Sequence, residues 1–225
     1  MISKKMYEKI VGKKIRYDIL YRYETIAELI KKYSNKKKLS ILDVGSGYGF
    51  LPFFVDKGWH VHGIDIDEER VRRANQIKHS NAVFLKGDAE DFSIGRKFDV
   101  VLALDVIEHL DHPERCIESV SNHVKDDGIF IVSNPNRHSF WTLFFDNRFI
   151  RLEQHKQYWD VAGFAKMAGK SGFKLIGTLP RPFFGEAVGW AMNDYRSFLK
   201  FDNYLGSKFP NNATGQFLIF SKVKK

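Results

Sequence analysis

The stretch Ile41-Leu42-Asp43-Val44-Gly45-Ser46-Gly47-Tyr48-Gly49 constrains the fold of this chain more than any other. An apolar run suited to a buried strand carries an acidic residue and then meets three alternating glycines. Such a turn lets a ligand approach bare backbone. The following residues, Phe50 to Lys57, read as a helix, and strand, glycine turn, helix opens a nucleotide-type α/β site. The spacing separates the kinds of site. A dinucleotide fingerprint needs G-x-G-x-x-G. Gly45 and Gly47 fit it, but position 50 is Phe and Gly49 comes one residue early.

Beyond residue 39, strand and helix patterns alternate. Apolar runs predict strands over Leu39–Val44, His60–Asp65, Ala82–Leu85, Phe98–Leu104, Gly128–Ser133, Phe173–Leu179 and Gln216–Val223. The run Phe98–Leu104 is unbroken after Asp99, as suits a strand covered on both faces. Asp67 reads as the cap of a helix with Glu68 and Glu69 in its first turn. Pro113 opens another helix, ending near Asp126-Asp127-Gly128, and residues 158–170 form a third, closed by Ser171-Gly172. Alternation with short loops predicts a mostly parallel sheet with helices on both faces, in one domain spanning 1–225. Residues 134–157 and 180–215 are too long for passive connectors. Both are aromatic, with Phe140, Trp141, Phe144, Phe145 and Phe149 in the first and Phe183, Phe184, Trp190, Phe198 and Phe201 in the second.

The chain has a formal charge of +9, unevenly placed. Residues 1–38 hold twelve Lys/Arg against four Asp/Glu, and the rest holds 24 against 23. The core is thus nearly neutral and the basic character sits in an N-terminal helical arm. Apolar positions at helical spacing (Ile19, Leu20, Tyr23, Ile26, Ala27, Ile30, Tyr33) predict a helix laid on the core with a solvated lysine face. The sharper reading is peripheral contact with an anionic membrane, or with nucleic acid. The one cysteine, Cys116, excludes an intramolecular disulfide and reads as a buried core residue. No run approaches the roughly 20 apolar residues of a spanning helix, and a cytoplasmic location is the default.

Asp43 with the glycine turn resembles motif I of the class I S-adenosylmethionine-dependent methyltransferases. Three further features agree. Asp65 ends the second strand, 22 residues after Asp43; Gly87-Asp88-Ala89 follows the third; Phe98-Asp99-Val100-Val101 opens the fourth. The resemblance implies a Rossmann-like seven-stranded sheet of order 3-2-1-4-5-7-6 with strand 7 antiparallel. It implies that Asp43, Gly45, Ser46, Gly47 and Gly49 hold the methionine part of the cofactor. Asp65 would accept the ribose hydroxyls, Ile66 would pack on adenine, Asp88 and Ala89 would meet its edge, and Leu104 would lie beside the cofactor.

Asp105-x-x-Glu108-His109 is similar to the Glu-x-x-Glu-His element of ubiquinone-pathway and small-RNA 2′-O-methyltransferases. There it holds a divalent ion with a further histidine, for which His155 is the counterpart. A Mg²⁺ ion on Asp105, Glu108, His109 and His155 would suit those oxygen and imidazole donors, but Asp is one methylene shorter than Glu, so the resemblance does not by itself imply a metal. Without one, His109 and His155 are the candidate bases, near Glu108, since imidazole titrates near neutrality. His138 is a further candidate. The D/N-P-P-Y/F motif of base amino-methylation is absent after strand 4, where Leu104-Asp105-Val106-Ile107 stands; Ser133-Asn134-Pro135-Asn136 follows strand 5. The expectation is O-methylation of a small, lipid-linked or glycan-linked hydroxyl acceptor, with the two aromatic insertions building its pocket. RNA 2′-O-methylation and non-catalytic cofactor binding are the alternatives.

Overall fold

A computed structural model describes residues 4–12, 17–136, 156–182, 195–210 and 213–223. Its centre is a seven-stranded sheet: β1 (Ser40–Val44), β2 (His60–Asp65), β3 (Ala82–Lys86), β4 (Phe98–Leu104), β5 (Val124–Pro135), β6 (Phe173–Pro180) and β7 (Gly215–Lys222). The order is β3-β2-β1-β4-β5-β7-β6. The pairs from β3 to β5 are parallel, and β7 runs antiparallel to both β5 and β6. This is the topology the resemblance implied. The bounds of β2 and β4 coincide with the apolar runs.

The sheet's alternation sends successive residues to two cores. On one face Ile41, Val100, Leu102, Ile131 and Ile219 meet α1 (Lys4–Val11) and α2 (Tyr17–Tyr33), which contribute Tyr7, Tyr23, Ile26 and Ile30. On the other, Leu42, Val101, Phe130 and Phe220 meet α4 (Pro113–His123) and α5 (Val161–Lys170) through Ile117, Val120 and Phe164. Each such aliphatic side chain contributes about 1.5–3 kcal/mol on full burial. Cys116 lies in this second core, as expected, and burial pushes its thiol up to about 12.

Between β2 and β3, α3 (Glu68–Gln76) starts at Asp67, whose side chain accepts from the N–H groups of Glu69 and Arg70 at 2.9 and 3.1 Å. At α5, Asp160 accepts from Gly163 N at 2.6 Å, so the helix starts at Val161 rather than at 158. Strand bounds elsewhere shift by a residue or so, and three larger differences from the sequence reading stand out. Phe50 to Lys57 forms only a 3-10 turn, Leu51–Phe53, because its aromatic residues are drawn into contact with α1 and α2. The helix opened by Pro113 stops at His123, and β5 starts at once, with Val124 paired to Phe98. His123 Nε2 accepts from Ile94 N at 3.1 Å, which leaves Nδ1–H to donate to Ser119 O at 2.7 Å and anchors that end. Finally, the connection between β6 and β7 contains a helix, α6 (Tyr195–Lys208).

The N-terminal arm is part of the core. Three of its lysines are also engaged: Lys31 pairs with Asp56 at 3.1 Å, Lys32 lies over the Tyr33 ring, and Lys36 bridges Asp99 and Asp127 at 2.8 Å each. Asp99 further accepts from Ser40 Oγ (2.7 Å) and Lys125 (2.9 Å), tying β1, β4 and β5 at the end remote from the glycine turn. Burial pushes its carboxyl up, but Lys36, Ser40 and Lys125 together hold it below the usual range. Among the described residues no helix is long and apolar enough to cross a membrane.

Candidate active site

In doubly wound sheets ligands gather beyond the carboxyl ends of the strands. The glycine turn sits there, after β1. Gly45, Gly47 and Gly49 have φ of +73°, +54° and +69°, the left-handed region that side chains rarely adopt. Space adds a second constraint. A Cβ on Gly45 would lie 2.2 Å from Val106 Cγ2, and one on Gly49 would lie 2.6 Å from Phe84. At Gly47 a Cβ would meet nothing within 4 Å, so this part of the turn borders open space. Gly45 N and Ser46 N both donate to Ile64 O, at 2.8 and 2.9 Å, which fixes the turn to the end of β2.

Two carboxylates flank the turn. Asp43 is 2% exposed, and its Oδ2 is buried with no hydrogen-bond partner among the described residues. Burial pushes its carboxyl up to about 7, with nearby Arg22 pulling it down and Asp65 pushing it further up. A buried, unmet carboxylate oxygen is expensive unless a donor completes it. Asp65 accepts from Gly47 N at 2.8 Å through Oδ2 and from Asp67 N at 3.0 Å through Oδ1. With about four lone-pair sites, it retains capacity for two hydroxyls. Next to it Ile66 is 67% exposed, an apolar face at the strand end.

The remaining expected contacts fall on neighbouring strand ends. Gly87 N donates to Asp65 O at 3.0 Å, joining the turn after β3 to the end of β2. Asp88 Oδ1 accepts from Glu90 N at 2.9 Å, and Ala89 is partly buried against the second core. Leu104 is buried where β4 ends. Asp43, the glycines, Asp65, Ile66, Asp88, Ala89 and Leu104 thus come from the ends of four adjacent strands. The orphaned Asp43 oxygen, the open side of Gly47 and the exposed Ile66 fit the ammonium, backbone-approach and adenine demands of S-adenosylmethionine.

Sequence reasoning missed a cluster beside these strand ends. Asp105, just past β4, has a φ of +53°. Its Oδ2 accepts from Arg22 of α2, and its Oδ1 accepts from Arg181 at 2.8 Å and from Ser133 Oγ at 2.6 Å. Burial pushes its carboxyl up, but Arg181 and Arg22 outweigh that and hold it well below the usual carboxylate range. No local signal links these residues, because the contacts span 83 and 76 positions. Next to the cluster, Tyr7 of α1 stacks on Phe50 at 5.0 Å and Tyr23 of α2 stacks on Phe54 at 5.6 Å. The two N-terminal helices therefore brace the chain leaving the glycine turn.

Asp105 does not fit the ligand role that the resemblance offered it, since both oxygens are taken by guanidinium and hydroxyl donors. Among the described residues no group of three or more His, Cys, Asp and Glu side chains could hold a metal ion. Glu108 and His109 lie in a 3-10 turn, Ile107–His109, with Glu108 buried and His109 partly buried. Lys156 N and Gln157 N donate to Glu108 O at 2.8 and 3.3 Å, which fixes residues 156 and 157 beside this turn. His138 and His155 lie outside the described residues, as do the aromatic residues expected at 140–149 and at 183, 184 and 190.

Residues 19–178 match the methyltransferase domain family. The ubiquinone biosynthesis O-methyltransferase of Rickettsia canadensis is 34% identical over 121 residues, which are 52% of this chain and 51% of that protein. The chain spans about half the length of the curated relatives it matches. The magnesium protoporphyrin IX methyltransferase of Synechocystis PCC 6803, solved with bound SAH, superposes with a TM-score of 0.66 at 17% identity, covering 99% of this chain and 89% of that one. The CcbJ methyltransferase of Streptomyces caelestis gives 0.63 at 15% identity over 90% of each chain. At such identities these structures share the fold.

Proposed function

We propose that this chain, which belongs to the class I S-adenosylmethionine-dependent methyltransferases, O-methylates a hydroxyl of a small, lipid-linked or glycan-linked acceptor. The observation that carries the donor half is the buried Asp43 oxygen without a partner, set beside a glycine turn that borders open space. Asp43 would take the cofactor's ammonium, Asp65 its ribose hydroxyls, Ile66 and Asp88 its adenine. When bound, the cofactor supplies a methyl group already activated on a sulfonium.

Little chemistry then falls to the protein beyond holding the acceptor oxygen in line and removing its proton. His109, in the 3-10 turn that follows β4, would take that proton, with His155 as the second candidate. His109 would accept the proton of the acceptor hydroxyl, while the bound cofactor would supply the methyl group and leave as the neutral thioether. Support for a hydroxyl acceptor comes from the Rickettsia relatives, named as O-methyltransferases, over the half of the chain that aligns. Support for an apolar or ring-bearing one comes from the aromatic composition of 134–157 and 180–215.

The test is a screen of purified protein with S-adenosylmethionine against phenols, quinols, glycolipids and RNA, measuring S-adenosylhomocysteine. Turnover on a hydroxyl-bearing small molecule or lipid is expected. Turnover confined to RNA or to amines would overturn the acceptor assignment.

A further inference from the structure

We infer that the outer face of α6 is a docking surface for an anionic lipid bilayer. Three large aromatic residues stand out from this helix and its end: Phe201 at 54%, Tyr204 at 57% and Phe209 at 53% exposure. Phe201 and Tyr204 are three apart and so share a helix face. Lys208, four beyond Tyr204, is also exposed and its ammonium lies 5.6 Å from the centre of the Tyr204 ring. The helix's one acidic residue, Asp202, is fully buried on the opposite side.

That inner side is occupied. Asn203 Oδ1 accepts from Tyr21 Oη of α2 at 2.7 Å, so α6 rests on the helix that also holds Arg22 against Asp105. Phe201 leans on the Phe198 ring of the same helix at 6.0 Å, and neither Phe201 nor Tyr204 belongs to the two cores that cover the sheet. Rings flanked by lysine, with no carboxylate between them, match the chemistry of a bilayer interface. Phe inserts at the acyl boundary, Tyr sits at headgroup level, and Lys meets anionic headgroups. A positive chain of +9 adds long-range attraction to such a surface. A second positively charged copy would be repelled. A single-stranded nucleic acid would want a lysine track along the rings, where the described face carries Lys208 alone. This surface differs from the N-terminal arm, whose Lys31, Lys32 and Lys36 are engaged within the fold.

The inference is independent of which acceptor is methylated, because bilayer binding requires no turnover. The test is co-sedimentation of the intact chain with vesicles of phosphatidylglycerol and phosphatidylcholine, and with phosphatidylcholine alone. The comparison is with a Phe201→Ser/Tyr204→Ser variant and with Lys208→Glu, each checked for a native far-UV spectrum and an unchanged Tm. The wild type should pellet with the anionic vesicles. The double variant should bind at least tenfold more weakly and Lys208→Glu a few-fold more weakly. Failure of the wild type to bind, or equal binding by the double variant, overturns the inference. So does a result in which the aromatic substitutions abolish only self-association or only RNA binding.

Discussion

Arg22 and Asp105, 83 residues apart, form an ion pair that ties the N-terminal helix to the end of the fourth strand. Arg181 approaches the same carboxylate from the chain leaving β6. The two ion pairs thus join three segments beside the strand ends that carry the glycine turn. Asp105→Ala should cost at least about 1.5–3 kcal/mol, the range for one hydrogen bond to a charged group. It should also weaken S-adenosylmethionine binding, because Arg22 lies near Asp43. A denaturant double-mutant cycle of Arg22→Ala with Asp105→Ala checks this: the two losses should fall short of additivity.

The same arrangement bears on metal dependence. With its oxygens accepting from Arg22, Arg181 and Ser133, Asp105 is committed elsewhere than to a cation. Turnover in the acceptor screen should survive exhaustive chelation. A loss restored by Mg²⁺ or Mn²⁺ would contradict that expectation.

Asp43 gives a pH signature whose sign follows from its raised carboxyl. Its ordinary value is 3.8 and its folded value about 7, so between them the folded state holds a proton that the unfolded state has lost. Stability from this group is present below 3.8 and is lost as pH rises towards about 7. Cofactor binding has the opposite sense, since the ammonium needs the carboxylate. Below pH about 7 affinity should fall up to about tenfold per unit, and above about pH 8 it should fall again as the ligand's own ammonium loses its proton. Fluorescence titrations from pH 5 to 9 measure this, and Asp43→Asn should remove the acid-side slope.

At Gly45 a methyl group meets two costs. The left-handed backbone costs about 1–2 kcal/mol for an L-residue, and overlap with Val106 adds about 1–3 kcal/mol. Gly45→Ala should therefore lower stability measurably and distort the turn. Gly47→Ala should cost only the backbone part, since nothing lies within 4 Å of its Cβ position. Urea midpoints of the two variants should differ in that order.

The extent to which the chain announces this structure depends on the range of each interaction. Strands β2 and β4 and the helix cap at Asp67 were legible because hydrophobic runs and caps are local signals. The glycine turn, Asp65 and Asp88 were legible as a spacing, and the fold brings them to adjacent strand ends. The Asp105 cluster was not, since Arg22 and Arg181 look like any surface arginines until the sheet forms. Lysine density drew attention to the arm's outer face, whereas Tyr7 and Tyr23 place its inner face in the core. The helix α6 left a signal that went unread: Phe198, Phe201 and Leu205 recur at intervals of three and four.

The central claim is that the ends of β1 to β4 form a methyl-donor pocket in which Asp65 holds the ribose. Calorimetric titration of S-adenosylhomocysteine into the wild type and Asp65→Ala tests it most directly. Two hydrogen bonds to a carboxylate, at about 1.5–3 kcal/mol each, imply a loss of roughly a hundredfold or more. Asp65 also accepts from Gly47 N and Asp67 N, so the variant's fold is checked by its near-UV spectrum. We expect tight binding by the wild type and a loss of that size in a folded variant. No binding by the wild type, or an unchanged dissociation constant in the variant, would contradict the account.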